Sequence, residues 1–184
     1  YPGQAGGTAI AKTLFGDYNP SGKLPVTFYK NVQQLPDFED YNMKGRTYRF
    51  MTEKPLFPFG YGLSYSSFSI GKAKLSKKQI SAKGSLKMVV PVTNKGKTPG
   101  TEVVQVYIKK LNDIDGPVKT LRAFKRVEVA AGKTVNAEIV LTPESFEFYD
   151  WTQRKMMTAP GDYEVYCGNS SDNDALKVYR LTIK

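Results

Sequence analysis

The residues best suited to acid–base chemistry are three carboxylates within four positions, Asp37, Glu39 and Asp40. Two carboxyl groups held roughly 5 to 9 Å apart across a glycosidic bond can hydrolyse it, one as acid and the other as nucleophile or base. The alternative is a solvated acidic turn, or ion pairs with Arg46 and Arg49, which follow among aromatic residues. We favour the alternative.

Two missing or rare residue types narrow the chemistry further. The sequence contains no histidine and a single cysteine, Cys167. This composition removes histidine-based nucleophilic triads and an internal disulfide, and it nearly excludes a structural zinc site. Cys167 lies in the alternating segment 163–168. That pattern favours a small buried apolar side chain over a reactive thiol.

The chain is basic, with 27 Lys and Arg against 17 Asp and Glu and a net charge of +10. Such a balance can mark a nucleic-acid-binding protein when the cations are clustered. The densest groups here, in 72–78 and 119–126, have a spacing that suits the solvent faces of strands and turns. We therefore expect a solvated surface, with no nucleic-acid partner. No apolar run reaches the roughly 20 residues of a membrane span, so no membrane partner is expected.

The stretch from Pro55 to Phe68 must position whatever lies on either side of it. It is uncharged and rich in aromatic residues, with two prolines and two glycines. Prolines stiffen the backbone, and glycines allow close approach or positive φ. A rigid uncharged aromatic segment is not expected to face water on all sides. The pattern predicts a buried joint between two bodies.

The residues before this joint predict one helix and one strand. Ile10, Leu14 and their neighbours give Gln4 to Phe15 a helical period, and Gly16 is a suitable end. Lys23 to Tyr29 has the composition of an edge strand. One helix and one strand cannot build a core. We expect their apolar face to be covered by a missing segment or by another chain, and the absence of an initiator Met agrees with a piece of something longer.

Three glycines, Gly3, Gly6 and Gly7, lie at the start of the predicted helix. They could bare backbone amides for an anion or a sugar oxygen. Their spacing fits neither the dinucleotide-binding nor the phosphate-loop pattern, so close packing of the helix is favoured.

The residues after the joint predict an immunoglobulin-like or fibronectin type III-like β-sandwich. Short alternating segments follow one another with turns about every ten residues, giving seven or so strands over about 115 residues. Trp151 could stack on a sugar ring, but a packed or half-exposed structural tryptophan is favoured. The predicted segments include 86–92, 101–109, 121–129, 135–141, 163–167 and 181–183.

A candidate modification site lies near the end of the chain. Asn169-Ser-Ser is an acceptor sequon for N-glycosylation.

Six strings carry a resemblance to a known family. The joint "PLFPFGYGLSYSSF" and the preceding "GRTYRF" resemble the β-xylosidase-type branch of glycoside hydrolase family 3. The opening "YPGQAGGTAIAKTLFGDYNPSGKLPVTFYK" is similar to the end of that family's α/β sandwich domain. "VTNKGKTPGTEVVQVYI", "LRAFKRVEVAAGKT" and "FYDWTQRKMMTAPGDYEVYCGNSSDN" are similar to its C-terminal domain. The resemblance covers essentially the whole chain.

The resemblance implies a mainly β fold: a fibronectin type III-like β-sandwich over 68–184, preceded by a helix-strand remnant of an α/β sandwich domain over 1–30. A connecting loop and aromatic linker occupy 31–67. It also implies an exo-acting retaining β-glycosidase, β-xylosidase or β-glucosidase, that hydrolyses terminal non-reducing sugars with no cofactor. Both catalytic carboxylates of the family lie upstream, so no catalytic residue is assigned and the chain alone is expected to be inactive. The resemblance favours a secreted or periplasmic location.

The implied partners are the upstream barrel and sandwich domains of the same polypeptide and an oligosaccharide substrate. Self-association through the uncovered N-terminal face is a further expectation. Three loop residues, Tyr41, Arg46 and Tyr48, are candidate sugar contacts in the intact enzyme, because arginine can bind hydroxyls and tyrosine can stack on a pyranose. The alternative is a carbohydrate-binding or adhesion module. A structural spacer ranks above that alternative, because no row of exposed aromatic residues stands out.

Overall fold

A computed structural model describes residues 3–184. Residues 1 and 2, which belong to the predicted segment 1–30, lie outside the described residues. The helices are α1 (Gly6–Leu14) and α2 (Thr47–Phe50). The strands are β1 (Phe68–Ile70), β2 (Lys74–Leu75), β3 (Gln79–Ile80), β4 (Leu86–Asn94), β5 (Gly100–Lys110), β6 (Thr120–Val129), β7 (Thr134–Leu141), β8 (Phe148–Asp150), β9 (Lys155–Met157), β10 (Gly161–Gly168) and β11 (Lys177–Ile183). Three 3₁₀ turns, Val32–Gln34, Pro143–Phe146 and Asn173–Ala175, complete the described elements.

Two sheets face each other around one apolar core, which confirms the mainly β sandwich. In the first sheet β4 pairs antiparallel with β1, β2 and β7. The second sheet has the order β3-β11-β10-β5-β6, and only its β3–β11 pair is parallel. A separate two-stranded hairpin is made of β8 and β9.

The core follows from the alternation of apolar residues in the sequence. Successive side chains of a strand point to opposite faces. In β4 the inward positions Leu86, Met88, Val90 and Val92 are fully buried, while Lys87 is exposed. Cys167 is buried in the same core, as expected.

Strand β5 is covered on both faces, which explains its almost continuous apolar sequence. Val104 and Val106 point into the core, whereas Gln105 and Tyr107 lie on the opposite face and are also buried. The side-chain amide of Gln105 donates through Nε2 to the Gly60 carbonyl oxygen at 3.0 Å, so the aromatic joint packs on this face.

The predicted strand Lys23 to Tyr29 is reduced to a single bridge between Phe28 and Phe57. Its backbone lies along the joint, with the Phe28 amide donating to the Phe57 carbonyl at 2.9 Å and the Leu24 amide donating to the Tyr61 carbonyl at 2.8 Å. Within residues 3–184 this segment has no sheet to extend, and Pro25 lacks the amide that a ladder needs. The prediction of a full strand is therefore wrong for this chain.

One side chain, Asn19, fixes α1 and its following turn to the rest of the molecule. Its amide nitrogen donates to Ser66 Oγ and to the Pro99 carbonyl, both at 2.9 Å. Its amide oxygen accepts from Ser64 Oγ and from the Tyr65 amide, also at 2.9 Å. These four bonds give α1 a defined place beside the joint.

The apolar face of α1 is open to solvent in this chain. Ile10 and Leu14 are exposed and Phe15 is 84% exposed. The joint is covered on its sandwich side, but Leu63 and Tyr65 are exposed on the other side. A Cβ placed on Gly3 or Gly7 would meet no atom within 4 Å, so the close packing predicted there finds no partner in residues 3–184. No helix in that range has the length and apolarity to cross a bilayer.

Candidate functional site

The structure places two of the three candidate sugar contacts together. Tyr41 and Arg46 line one surface depression of ≈ 500 Å³ on the connecting loop, and Tyr41 is 90% exposed. The remaining lining residues are Val32, Leu35, Pro36, Phe38 and Asp40. The depression joins an open aromatic ring, a cation and apolar side chains, which are groups that can contact a sugar.

Arg46 organises the acidic loop through backbone oxygens. Its Nε donates to the Asn42 carbonyl at 3.0 Å, and its guanidinium also donates to the carbonyl oxygens of Asp40 and Asp37. No ion pair joins the loop carboxylates to Arg46 or Arg49 within residues 3–184. Of the interpretations weighed for this cluster, a solvated acidic turn is the one that fits.

The Asp40 carboxylate is held by the turn itself. Its Oδ1 accepts from the Asn42 amide at 2.9 Å and from the Asn42 side chain at 2.7 Å. These hydrogen bonds, the backbone one first, lower the pKa of the carboxyl from its ordinary value. A carboxyl with a lowered pKa is a poor general acid at neutral pH.

Tyr48 lies in a different place, where it is half-buried against other aromatic rings. Its ring stacks on Phe59 with 4.3 Å between centroids, and it meets Tyr107 edge-on at 5.7 Å. Its phenol oxygen accepts a hydrogen bond from the Leu121 amide at 3.1 Å. Tyr48 lines a second, smaller depression of ≈ 220 Å³, so the three candidate residues do not form one cluster in this chain.

A buried polar junction that was not predicted from the sequence joins the sandwich to residues 3–30, which we call the front segment. Glu102 is only 4% exposed, and its Oε1 lies 2.7 Å from Lys23 Nζ. The same oxygen accepts from the Val103 amide at 2.7 Å, and the Asn169 amide donates to the other oxygen at 3.3 Å. A carboxylate inside an otherwise apolar strand sequence was the available signal, because such a residue is seldom buried without a partner.

The junction also bears on the Asn169 sequon. The Asn169 side chain donates a hydrogen bond to the Glu102 carboxylate. The backbone carbonyl of Asn169 accepts from the side-chain amide of Gln105 at 2.6 Å. Attachment of a glycan at that nitrogen would disturb the contact with Glu102. The geometry favours a structural role for Asn169.

The expectation that the basic group 119–126 covers a solvent face is wrong for two of its members. Lys119 is 6% exposed and its ammonium donates to Asn173 Oδ1. Burial lowers the pKa of Lys119, an effect that the nearby Asp172 partly opposes. Arg122 is half-buried and donates to the Glu147 carbonyl. Both cations fasten loops to the sandwich.

The prediction for Trp151 is also wrong, because its side chain is 80% exposed. It lies just beyond β8 and meets Tyr149 edge-on with 4.7 Å between ring centroids. Both rings, together with Met156, border a depression of ≈ 460 Å³ between the β8–β9 hairpin and the loop 111–119. We call this feature the hairpin depression.

Two other kinds of site find no support in the described part of the chain. No group of three or more His, Cys, Asp or Glu side chains in residues 3–184 is arranged to hold a metal ion. Burial raises the pKa of the Cys167 thiol to about 12, so this thiol stays protonated near neutral pH.

The fold and its attached segment define a class: a fibronectin type III-like sandwich with an N-terminal segment that presents an apolar helix face. Two family models match the chain, the glycosyl hydrolase family 3 C-terminal domain over residues 1–65 and the fibronectin type III-like domain over residues 102–171. The chain belongs to glycoside hydrolase family 3 and corresponds to the C-terminal portion of its members.

Relatives with curated descriptions agree with this assignment. The chain is 55% identical over all of its 184 residues to a xylan 1,4-beta-xylosidase of Xylanibacter ruminicola, of which it covers 21%. It is 36% identical, over 93% of its length, to a periplasmic beta-glucosidase of Salmonella typhimurium, of which it covers 24%. The chain thus spans about a quarter of the length of the relatives it matches.

Solved structures show the same architecture. A β-glucosidase from Erythrobacter marinus superposes with a TM-score of 0.82 at 39% identity, covering 97% of this chain and 24% of that one. The β-glucosidase from Listeria innocua in complex with isofagomine gives a TM-score of 0.79 at 33% identity, covering 96% of this chain and 26% of that one. The arrangement of residues 3–30, joint and sandwich therefore occurs in larger proteins named β-glucosidases.

Proposed function

We propose that this chain forms the C-terminal portion of an exo-acting retaining β-glycosidase of β-xylosidase or β-glucosidase type. The observation that carries the proposal is the 55% identity, over the whole chain, to a protein named a xylan 1,4-beta-xylosidase. Other relatives are named β-glucosidases, so the proposal includes both sugars.

A retaining glycosidase uses two carboxylates, one that attacks the anomeric carbon and one that protonates the leaving oxygen. We assign neither role to a residue of this chain. In the proposal both carboxylates lie in barrel and sandwich domains of the same polypeptide, and those domains are the partners of this chain. The oligosaccharide substrate binds between them, and no cofactor takes part.

The division of labour within the chain is part of the proposal. Residues 1–30 complete the α/β sandwich domain, residues 31–67 connect it to the next unit, and residues 68–184 form the fibronectin type III-like domain. The exposed face around Leu14 and Phe15 supports this division. Burying an apolar helix face against another domain removes it from water and stabilises the assembly.

The connecting loop is proposed to edge the active site through Tyr41 and Arg46. Tyr41 offers an open ring for a pyranose face, and Arg46 keeps that part of the loop in shape through three carbonyl contacts. Tyr48, whose ring is stacked on Phe59, would edge the site from the inner side of the loop. In the longer enzyme, Tyr41→Ala should raise KM for aryl xylosides or glucosides, and unchanged kinetics would remove this part of the proposal.

A chimeric enzyme tests the main proposal. The chain replaces the matching C-terminal portion of the Xylanibacter ruminicola protein, and hydrolysis of nitrophenyl β-xyloside and β-glucoside is measured. We expect activity from the chimera and none from the 184-residue chain alone. Turnover by the isolated chain would contradict the proposal, and so would a folded chimera that is inactive beside an active parent.

A carbohydrate-binding or adhesion module is the second candidate, and the exposure of Trp151 is the observation that favours it.

A further inference from the structure

We infer that the hairpin depression is a binding site for a neutral β-linked glycan chain, with Trp151 and Tyr149 as its stacking platform. The site lies on the fibronectin type III-like sandwich. The site itself is argued from the geometry of the β8–β9 hairpin, whereas the choice of a β-linked glycan rests on the glycosidase function proposed above.

The sequence of the hairpin places both rings on one side. Tyr149 lies in β8 and Trp151 follows directly after the strand, and the edge-on contact of the two rings keeps them together at the depression. Met156 lies directly across from Tyr149 in β9 and borders the same depression. The hairpin therefore collects its exposed large side chains on one surface.

The tip of the hairpin is held so that Trp151 stays outside. Asp150 Oδ1 accepts from the Thr152 and Gln153 amides, both at 2.9 Å. Arg154 completes the turn with a φ of 51°, in the left-handed region. The edge-on contact with Tyr149 orients the indole without covering it, because 80% of the residue remains exposed. Together with the exposed Tyr149 and Met156, Trp151 forms a contiguous apolar patch, and such a patch suits a partner with an apolar face.

The rest of the depression supplies polar groups at the edge of the platform. Lys110 lies with its Nζ 4.8 Å from the Phe148 ring centroid. Arg122 also lines the depression, and the Glu147 carbonyl accepts a hydrogen bond from its guanidinium. Sugars present apolar C–H faces and a rim of hydroxyls, and rings beside fixed donors and acceptors match both features.

The charges around the depression favour a neutral ligand. Four cations and three carboxylates border it, which leaves a difference of one charge. A site for an acidic polymer would show an excess of cations, as basic patches for polyanions do. The bordering charged residues are Arg49, Lys109, Lys110, Arg122, Asp113, Asp115 and Glu147.

The chain provides its own probe, because Trp151 is its only tryptophan. Xylohexaose and cellohexaose are titrated into the 184-residue chain while its tryptophan emission is recorded. A saturable change in emission with at least one of them is expected, because a stacked sugar removes water from the indole. No change across the soluble range of both oligosaccharides would overturn the inference.

Native gels containing soluble xylan or a soluble β-glucan give a second measurement. The chain should be retarded in at least one of the two gels. Trp151→Ala should abolish the retardation, Trp151→Phe should retain part of it, and Tyr149→Ala should weaken binding about fivefold to tenfold. Phe124→Ala is the matched control, because Phe124 is an exposed ring outside the depression and should leave the retardation unchanged. Far-UV circular dichroism confirms that each variant is folded.

Three other outcomes would also overturn the inference. Equal loss in Trp151→Ala and Phe124→Ala would show a general surface effect. Retardation by polygalacturonate and not by neutral polymers would assign the site to acidic ligands. A concentration-dependent dimer that disappears only in Trp151→Ala, without glycan binding, would assign the platform to a second copy of the chain.

Discussion

At the scale of single residues, the buried Glu102 depends most clearly on specific partners. Its carboxylate replaces lost water contacts with Lys23, the Val103 amide and Asn169. Removing one partner of a buried ion pair leaves an uncompensated charge, which costs several kcal/mol when the site is dry. The junction therefore stabilises the attachment of the front segment only while all of its members are present.

Glu102→Gln tests this dependence. The substitution keeps the shape and removes the charge opposite Lys23, so we expect the free energy of unfolding in urea to fall by about 2–4 kcal/mol. Lys87→Met is the control, because Lys87 and Glu138 form an exposed pair at 2.8 Å whose loss should cost less than about 1 kcal/mol. Equal effects of the two substitutions would contradict the account of a buried junction.

Buried tyrosines should make the fold sensitive to high pH. Burial, followed by the charge of Tyr48, raises the pKa of Tyr107 above its ordinary value of 10.0. Above pH 10.0 the unfolded chain loses this proton while the folded chain keeps it, so stability is complete below that pH and falls as the pH rises through it. Tyr107→Phe should reduce the slope of this fall in urea titrations at increasing pH.

The control for Tyr107 is Tyr18→Phe, because Tyr18 is an exposed ring. That substitution should leave the alkaline slope unchanged. Tyr107→Phe also removes the hydrogen bond from the phenol to Gln105 Oε1 at 2.5 Å, which lowers stability at every pH by about 1 kcal/mol. An unchanged slope in Tyr107→Phe would show that another group titrates.

At the scale of elements, the contact between the joint and β5 depends on a glycine. Gly60 has a φ of 78°, and a Cβ there would lie 2.0 Å from Gln105 Oε1. Gly60→Ala should therefore add a steric clash to backbone strain and lower the free energy of unfolding by more than about 2 kcal/mol. Gly132→Ala is the matched control, because Gly132 also has a positive φ, 67°, but its Cβ would meet nothing within 4 Å.

Gly132→Ala should show the strain alone, about 1 kcal/mol. The comparison by urea denaturation separates the two causes, since only the variant at Gly60 also displaces Gln105. If both alanines cost the same, the joint does not need the close approach seen here.

Alternation alone predicted two of the strands that form the core. The positions Leu86 to Val92 and Val135 to Leu141 could be placed because their buried and exposed sides alternate within the sandwich itself. The front segment was harder, because the strand predicted at Lys23 to Tyr29 has no sheet to join among residues 3–184. Periodicity identifies the apolar face of a helix or strand. It does not show whether the partner that covers this face belongs to the same chain.

The candidate site shows the same limit. Tyr41 and Arg46 come together because they lie on one short loop, whereas the role of Tyr48 depends on Phe59 and Tyr107, which are distant in sequence. Trp151 was expected to be packed or half-exposed, but it follows Asp150 in a turn that leaves it in solvent. Exposure of a single aromatic residue depends on turn geometry that composition does not encode.

At the scale of the whole molecule, the sandwich and the front segment differ in how complete they are. The sandwich buries its apolar residues around one core. The front segment is attached by Asn19, by the Lys23–Glu102 pair and by the Tyr65 hydroxyl, which donates to the Thr13 carbonyl at 2.6 Å. These polar contacts fix its position and leave its apolar face open, so folding of the chain and assembly with a partner domain are separable.

This separation can be tested by changing only the open face of α1. The double substitution Leu14→Ser and Phe15→Ser removes two largely exposed apolar side chains. We expect the urea midpoint of the isolated chain to change little, because side chains already in water contribute little to folding. Any self-association measured by sedimentation should decrease, because the apolar surface that drives it is smaller.

In the chimeric enzyme the same pair of serines should lower stability and activity strongly. There the face is expected to be buried against the α/β sandwich domain, where each lost large side chain costs about 2–5 kcal/mol. Thermal unfolding and nitrophenyl glycoside hydrolysis should both be impaired, while Phe124→Ser, on an exposed position of the sandwich, should change neither. A chimera that tolerates both serines would mean that α1 does not dock on the domain proposed to cover it, and that the open face serves another partner.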